Sequence, residues 1–224
     1  MSEAGQDRPG GEGGTPADAV APGSGGAPPA TTQALVLGGA LALSYAAAGA
    51  GSWATARSLR TWYPTLKKPT WTPPGGAIGA IWTALYTLMG VSLWLDWRRA
   101  ATARRSDPEP VSESVSVSDA ERYPHNRPRA VPPALRPALA WFAAQLGLNV
   151  LWSFAFFAAR STGAGLAVVV ALWLAVAGWV RAAGRIDPLA GRLQIPYLAW
   201  VSFAGLLNAT ILVLNMNRTR RIRS

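Results

Sequence analysis

The chain has 224 residues, half of them apolar and only 14% charged, with 21 Lys and Arg against 11 Asp and Glu for a formal charge of +10. With no cysteine and a single histidine, it has no means to form disulfides, do thiol chemistry or ligate iron–sulfur clusters, and its histidine has no metal-binding companions. The basic residues gather in connections and tails around apolar runs, a distribution that phospholipid head groups explain, so no nucleic-acid partner is expected.

Five windows carry no charge at all: 19–56, 69–95, 137–159, 161–180 and 193–217. Each holds an apolar stretch of about 20 residues, the length a helix needs to cross hydrocarbon at about 1.5 Å per residue. In lipid, backbone polar groups must pair within their own helix. The expected fold class is therefore all-α, an integral membrane bundle of five transmembrane helices in the lipid bilayer.

Residues 1–32, with eight Gly and five Pro among the first thirty, read as a disordered N-terminal tail, too long and too acidic for the basic region of a cleaved signal peptide. The membrane domain is expected over 33–217. Its first helix, about 33–55, carries two ridges of small residues, Gly38–Ala42–Ala46–Ala50 and Ala40–Ser44–Ala48–Ser52, which let backbones approach closely and predict a place inside the bundle. The second, about 75–97, ends in "WLDWRRA", where Trp94 and Trp97 beside Arg98 and Arg99 read as an interfacial anchor, a belt role also expected for Trp179 and Trp53. Residues 98–133 read as a disordered insertion in which His125 stands alone. The third and fourth helices are expected at about 134–159 and 163–181. "RIDPLAGR" reads as a short turn, the fifth helix as about 193–217, and 218–224 as a basic tail. Basic residues divide almost evenly between the two sides, so the sequence sets no orientation.

Inside the windows there is no Asp, Glu, Lys, Arg or His, with Asp96 at one edge, which counts against a proton-coupled transporter. No Ser-His-Asp set, paired carboxylates or phosphate loop is present either, so no conventional catalytic residue and no metal site is expected. What remains is aromatic and amide chemistry, led by eleven tryptophans. Trp82, Tyr86 and Met89 share a face of the second helix. Gln145, Asn149, Trp152, Ser153 and Phe156 form a stripe on the third, and Tyr197, Trp200, Ala204, Asn208 and Asn215 another on the fifth. Taken singly, these are interhelical hydrogen-bond glue and packing. Taken together, they can wall a cavity for a planar, largely apolar ligand.

One connection is unusual. "WYPTLKKPTWTPPG", residues 62–75, holds Pro64, Pro69, Pro73 and Pro74, which stiffen it and let Trp62 and Trp71 fold over the bundle mouth as a lid. Pro74 suits the first position of the next helix. Lys67 and Lys68, with Arg57 and Arg60, place positive charge at the rim, suited equally to a ligand's carboxylates and to lipid head groups.

"WYPTLKKPTWTPPG…IWTALYTLMG", "QLGLNVLWSFAFF" and "PYLAWVSFAGLLN", in that order over about residues 35–217, resemble the successive signatures of the TspO/MBR family of tryptophan-rich sensory and translocator proteins. The resemblance implies a multi-pass protein of a bacterial cell membrane, a five-helix bundle that is often dimeric, with a pocket below the first loop. It implies a tetrapyrrole, protoporphyrin IX or haem, as ligand, with no cofactor required. By motif, Trp62 and Pro74 resemble the family's lid positions, Trp82 its second-helix pocket tryptophan, Asn149 its pocket amide, and Trp200 and Ala204 its fifth-helix wall. A binding protein that senses or regulates porphyrin and stress responses is the leading expectation. Light-dependent porphyrin degradation, with Trp82 and Trp200 as the redox partners, and transport of tetrapyrroles or other lipophiles are the alternatives. "LNATILVLNMNR" lacks the tyrosine of the family's sterol motif. The full set of expected ligand-binding residues is Trp62, Lys67, Lys68, Pro74, Trp82, Tyr86, Gln145, Asn149, Trp152, Tyr197, Trp200, Ala204 and Asn208. The small residues Ala143 and Gly147 offer a homodimer face.

Overall fold

A computed structural model describes residues 27–106 and 131–221, with side chains up to Met216. The described residues form α1 (Ala30–Thr61), a single 3-10 turn (Tyr63–Thr65), α2 (Gly75–Ser106), α3 (Leu135–Ser153) extended by a π turn (Phe154–Ala158), α4 (Thr162–Ile186), the short α5 (Pro188–Leu193) and α6 (Ile195–Arg221). There is no strand among them. Five stretches are long and apolar enough to cross a membrane: α1, α2, α3 with its π turn, α4, and α5 joined to α6.

Two helices run well past the ends expected from sequence. α1 continues past residue 55 to Thr61, and α2 past residue 97 to Ser106, through Arg98, Arg99, Arg104 and Arg105. A charge-free window marks only the part within hydrocarbon. Each of these helices has 32 residues, about 48 Å at the α-helical rise, well beyond a hydrocarbon core of about 30 Å. Residues 98–106 of the expected insertion are therefore helical, and so are 218–221 of the expected basic tail. The expectations for residues 1–26 and for His125 lie outside the described residues.

Local chemistry sets the other boundaries. Ser161 caps α4 by accepting from Ala164 N. "RIDPLAGR" is a helix rather than a bare turn: Asp187 accepts from Leu189 N at 2.8 Å and Ala190 N at 3.4 Å, and Pro188 takes the first helical position, where its missing N–H costs nothing. Arg160, at φ 52°, makes the left-handed corner between the π turn and α4.

The core lies between α2, α3, α4 and α6 around Met89, Phe142, Leu172, Val176, Trp179 and Tyr197. Trp179 is thus no belt residue: it is 0% exposed, edge-on to Phe142, whereas Trp53 is 76% exposed as a lipid-facing residue should be. α1 packs more loosely. Of its two small-residue ridges only the Ala40–Ser44–Ala48 one turns inward, and Gly38, Ala42, Ala46 and Ala50 are exposed. Ala143 and Gly147 of α3 are exposed as well. Two glycines allow close helix crossings: a Cβ on Gly90 would meet Leu41, and one on Gly191 would sit 2.7 Å from Gly184 Cα.

Candidate functional site

At the end of the bundle where α1 stops and α2 starts, the helices part around a cavity of about 890 Å³. It is walled by α1, α2, α3 and α6 and roofed by the connection 62–74, while α4 and α5 contribute nothing to it. Such a volume falls in the upper part of the roughly 300–1,000 Å³ range of small-molecule pockets.

Two flat aromatic walls meet at right angles. Trp82 lies over Tyr86, centroids 5.5 Å apart and planes within 28°, and Trp200 lies over Phe203 at 5.3 Å and also 28°. Trp82 and Trp200 touch edge to face, 6.4 Å apart at 89°. On the α3 side Trp152 stacks on Phe156 at 5.5 Å and 23°. The repeat of three and four residues explains why these rings share a face; the helix crossings bring the faces together.

Beneath the aromatic walls runs a linear hydrogen-bond chain. Tyr86 Oη donates to Asn149 Oδ1 at 2.8 Å, Asn149 Nδ2 donates to Tyr197 Oη at 3.0 Å, and Tyr197 Oη donates to Gln145 Oε1 at 3.1 Å. Gln145 Nε2 ends at Met89 Sδ, 3.9 Å away. Buried amides and hydroxyls are expected to be paired in this way. The Asn149 amide is therefore committed to two tyrosines, which hold Tyr86 in register under Trp82. A second amide works likewise: Trp152 Nε1 donates to Asn208 Oδ1 at 3.4 Å and Asn208 Nδ2 to Thr162 O at 2.7 Å. The indole N–H of Trp200 is different, being buried with no partner among the described residues.

Of the residues expected from sequence, Lys68, Trp82, Tyr86, Asn149, Trp152, Trp200, Ala204 and Asn208 line the cavity together. Gln145 and Tyr197 stand behind it, fully buried at the far end of the hydrogen-bond chain. Trp62 packs edge-on against Phe156 in the roof, and Pro74 gives way to Pro73 at the lining. Lys67 is exposed and away from the cavity. Sequence spacing did not point to Tyr45, Thr55 and Leu59 of α1 or to Tyr63, Phe157 and Phe203, all of which line it.

The roof is held at three points. Tyr63 and Trp62 pack on Phe157 and Phe156, at 5.7 and 5.6 Å. Trp71, 43% exposed, reaches Phe203 at 5.6 Å. At the third, Asn215 of α6 accepts from Lys67 N at 3.1 Å and donates to Lys67 O at 3.0 Å, so one amide grips both backbone polar groups of a single residue. Lys68 Nζ turns inward, donating to Tyr63 O at 2.9 Å and Leu66 O at 3.3 Å, with its charge 4.7 Å from the Tyr63 ring. Burial raises the Tyr63 phenol above its ordinary pKa, so that ring stays neutral beneath the cation. Removing the Asn215 grip with Asn215→Ala should cost the roof about 1–2 kcal/mol of order, two hydrogen bonds at partly exposed positions. Hydrogen exchange of the 62–72 amides is expected to speed up while that of the core of α4 stays unchanged.

A family model described as the TspO/MBR family matches residues 40–214. The chain is 34% identical over 188 residues to the tryptophan-rich protein TspO of Chlorobaculum tepidum, covering 82% of this chain and 96% of that one. It is 33% identical to the tryptophan-rich sensory protein of Cereibacter sphaeroides, over 70% of this chain and 78% of that one. It is also 32% identical to the translocator protein of Homo sapiens, over 66% and 70% respectively.

Proposed function

The chain belongs to the TspO/MBR family and is a multi-pass integral membrane protein; on that premise we propose that it binds a tetrapyrrole, protoporphyrin IX or haem, as a membrane sensor or regulator of porphyrin levels. The perpendicular Trp82–Trp200 pair carries the reading. Each indole is backed by a second ring, Tyr86 or Phe203, so each offers a rigid flat face, and a planar ligand stacked on one meets the edge of the other. The Trp200 ring borders the cavity, so only its face, and not its buried N–H, has to meet the ligand. Lys68 has spare donor capacity at the rim for a propionate. A relative named as a sensory protein and others named as translocators are consistent with a sensor- or transporter-type role.

The same pair supports a second reading, light-dependent oxidation of the bound tetrapyrrole by molecular oxygen. Two indoles in contact on the cavity wall can pass an electron to or from a photoexcited ligand, and no acid–base group is needed because the chemistry is the ligand's own.

Titration with protoporphyrin IX in the dark, followed by tryptophan fluorescence quenching, tests both. Saturable quenching is expected, with affinity about tenfold weaker in Trp82→Phe and in Trp200→Phe, the equivalent of roughly 1.4 kcal/mol, near the upper end of an aromatic stacking contribution. Linear quenching, or quenching indifferent to both substitutions, sinks the tetrapyrrole reading at this cavity. Loss of porphyrin absorbance over several turnovers under light selects the second reading, and uptake of porphyrin into proteoliposomes selects transport.

A further inference from the structure

The face of α2 turned toward α5 carries polar groups at one-turn intervals. Gln194 Nε2 donates to Leu88 O at 3.0 Å, and one turn on Ser92 Oγ donates to Ala190 O at 3.0 Å. The same register carries the next turn, with Asp96, toward the N-cap of α5 at Asp187. This step of the seam has no hydrogen bond. Asp96 is 0% exposed, and neither of its carboxylate oxygens has a partner among the described residues.

The charged groups around it do not compensate. On α2, Arg98 lies over the Trp94 ring, 4.7 Å from its centroid, and Arg99 is exposed. Arg136 of α3, Arg181 and Arg185 of α4 and Arg192 of α5 are all exposed. α1 and α6 bring no charged residue to this end. Asp187 has Oδ1 engaged in capping α5. A carboxylate sealed from water with no donor costs several kcal/mol, roughly the penalty of an unpaired buried charge. A second carboxylate facing it adds repulsion. The neutral acid relieves both and supplies an O–H donor. Ionisable groups kept inside a membrane bundle are characteristically functional, proton carriers among them.

We propose that Asp96 is a proton-binding site, holding a dissociable proton in the α2–α5 seam at the end of the bundle opposite the ligand cavity. Trp94, Trp97 and Arg98 mark this end as the head-group level, so the proton exchanges with that membrane surface. On its release, two carboxylates face each other across the seam. The site lies two turns beyond Met89, below the hydrogen-bond chain, and shares no residue with the cavity. An edge position in the sequence becomes an interior one because α5 folds back over it.

Infrared spectra of the full chain in lipid nanodiscs decide the matter. Wild type minus Asp96→Asn should show a protonated-carboxyl C=O band at neutral pH that shifts in deuterium oxide. The band should persist in Asp187→Asn and give way to carboxylate bands as pH is raised. Asparagine mimics the neutral acid in size and charge, so Asp96→Asn should fold with the melting temperature of wild type. Should that variant fail to accumulate, wild type carrying isotope-labelled aspartate gives the same reading, an isotope-shifted protonated band. Carboxylate bands alone at neutral pH overturn the proposal. A sodium-dependent shift of those bands would identify a bound cation in the proton's place, and their insensitivity to sodium would identify a partner from the connecting segment.

Discussion

Asn149→Leu should be among the most damaging single substitutions in the cavity region, lowering stability by about 1–3 kcal/mol and abolishing saturable porphyrin quenching together. Leucine fills nearly the same space, so packing loss is small. What goes is the amide that joins Tyr86 Oη to Tyr197 Oη. Both hydroxyls are buried; Tyr197 keeps Gln145 as its acceptor, while Tyr86 loses its side-chain acceptor, at about 1–3 kcal/mol for an unsatisfied buried group. Interhelical hydrogen bonds in membranes average nearer 0.6 kcal/mol, with a maximum of about 1.7, so the lower part of the range is the stability expectation. The binding effect should exceed it, because Tyr86 is the backing ring of Trp82. Thermal unfolding in detergent and the dark titration separate the two. Asn149→Asp, which can keep an acceptor for Tyr86, should retain more binding than Asn149→Leu; equal loss in both would mean that the Nδ2 donor to Tyr197, which both variants lack, carries the effect.

Gly191→Ala carries the second large effect. The added methyl would sit 2.7 Å from Gly184 Cα, 2.9 Å from Gly184 N and 3.0 Å from Val180 O, all backbone atoms that no rotamer change can move. α5 must lift off α4, and overpacking of this sort costs typically about 1–3 kcal/mol. Gly38→Ala is the matched control: nothing lies within 4 Å of its new methyl, and alanine is the better helix former by about 0.5–1 kcal/mol. Thermal unfolding should therefore fall for Gly191→Ala and hold or rise for Gly38→Ala. Two unchanged curves would mean that α5 docks more loosely than its close approach to Gly184 implies.

The spans were legible because charge cannot be placed in hydrocarbon, and the windows without it are long. Their ends were not, because arginines such as Arg57 and Arg98 extend to head-group depth from helices that carry on past them. The aromatic stripes of α2, α3 and α6 were legible for a related reason: spacing fixes which residues share a face. Spacing does not say what that face meets. Gln145 and Asn149 are on one stripe, yet Asn149 borders the cavity while Gln145 is sealed behind Tyr197. Lys67 and Lys68 are neighbours in a stiff loop, and the Asn215 grip on the Lys67 backbone, together with the Tyr63 and Leu66 carbonyls that Lys68 meets, sets which of them turns in. Trp179 reads as near the end of its helix but lies in the core edge-on to Phe142, because α4 runs on past residue 181 to Ile186.

The wide turn at the end of α3 has a consequence for the shape of the ligand chamber. Consecutive side chains on a regular α-helix diverge by about 100°, so two adjacent phenylalanines would normally face different surroundings, one of them lipid. Over Phe154–Ala158 the backbone spreads into a π turn, and Ala159 N reaches back to Phe154 O at 2.8 Å across the extra residue. Phe156 and Phe157 are consequently both buried, rings 4.8 Å apart, and both border the cavity. Ser58 Oγ secures the spread by donating to Phe157 O at 2.6 Å. The chamber thus takes part of its depth from chain length rather than composition: its corner is drawn by one surplus residue, and shortening the helix there by that residue would rotate a ring out of the chamber without changing a single side chain that lines it.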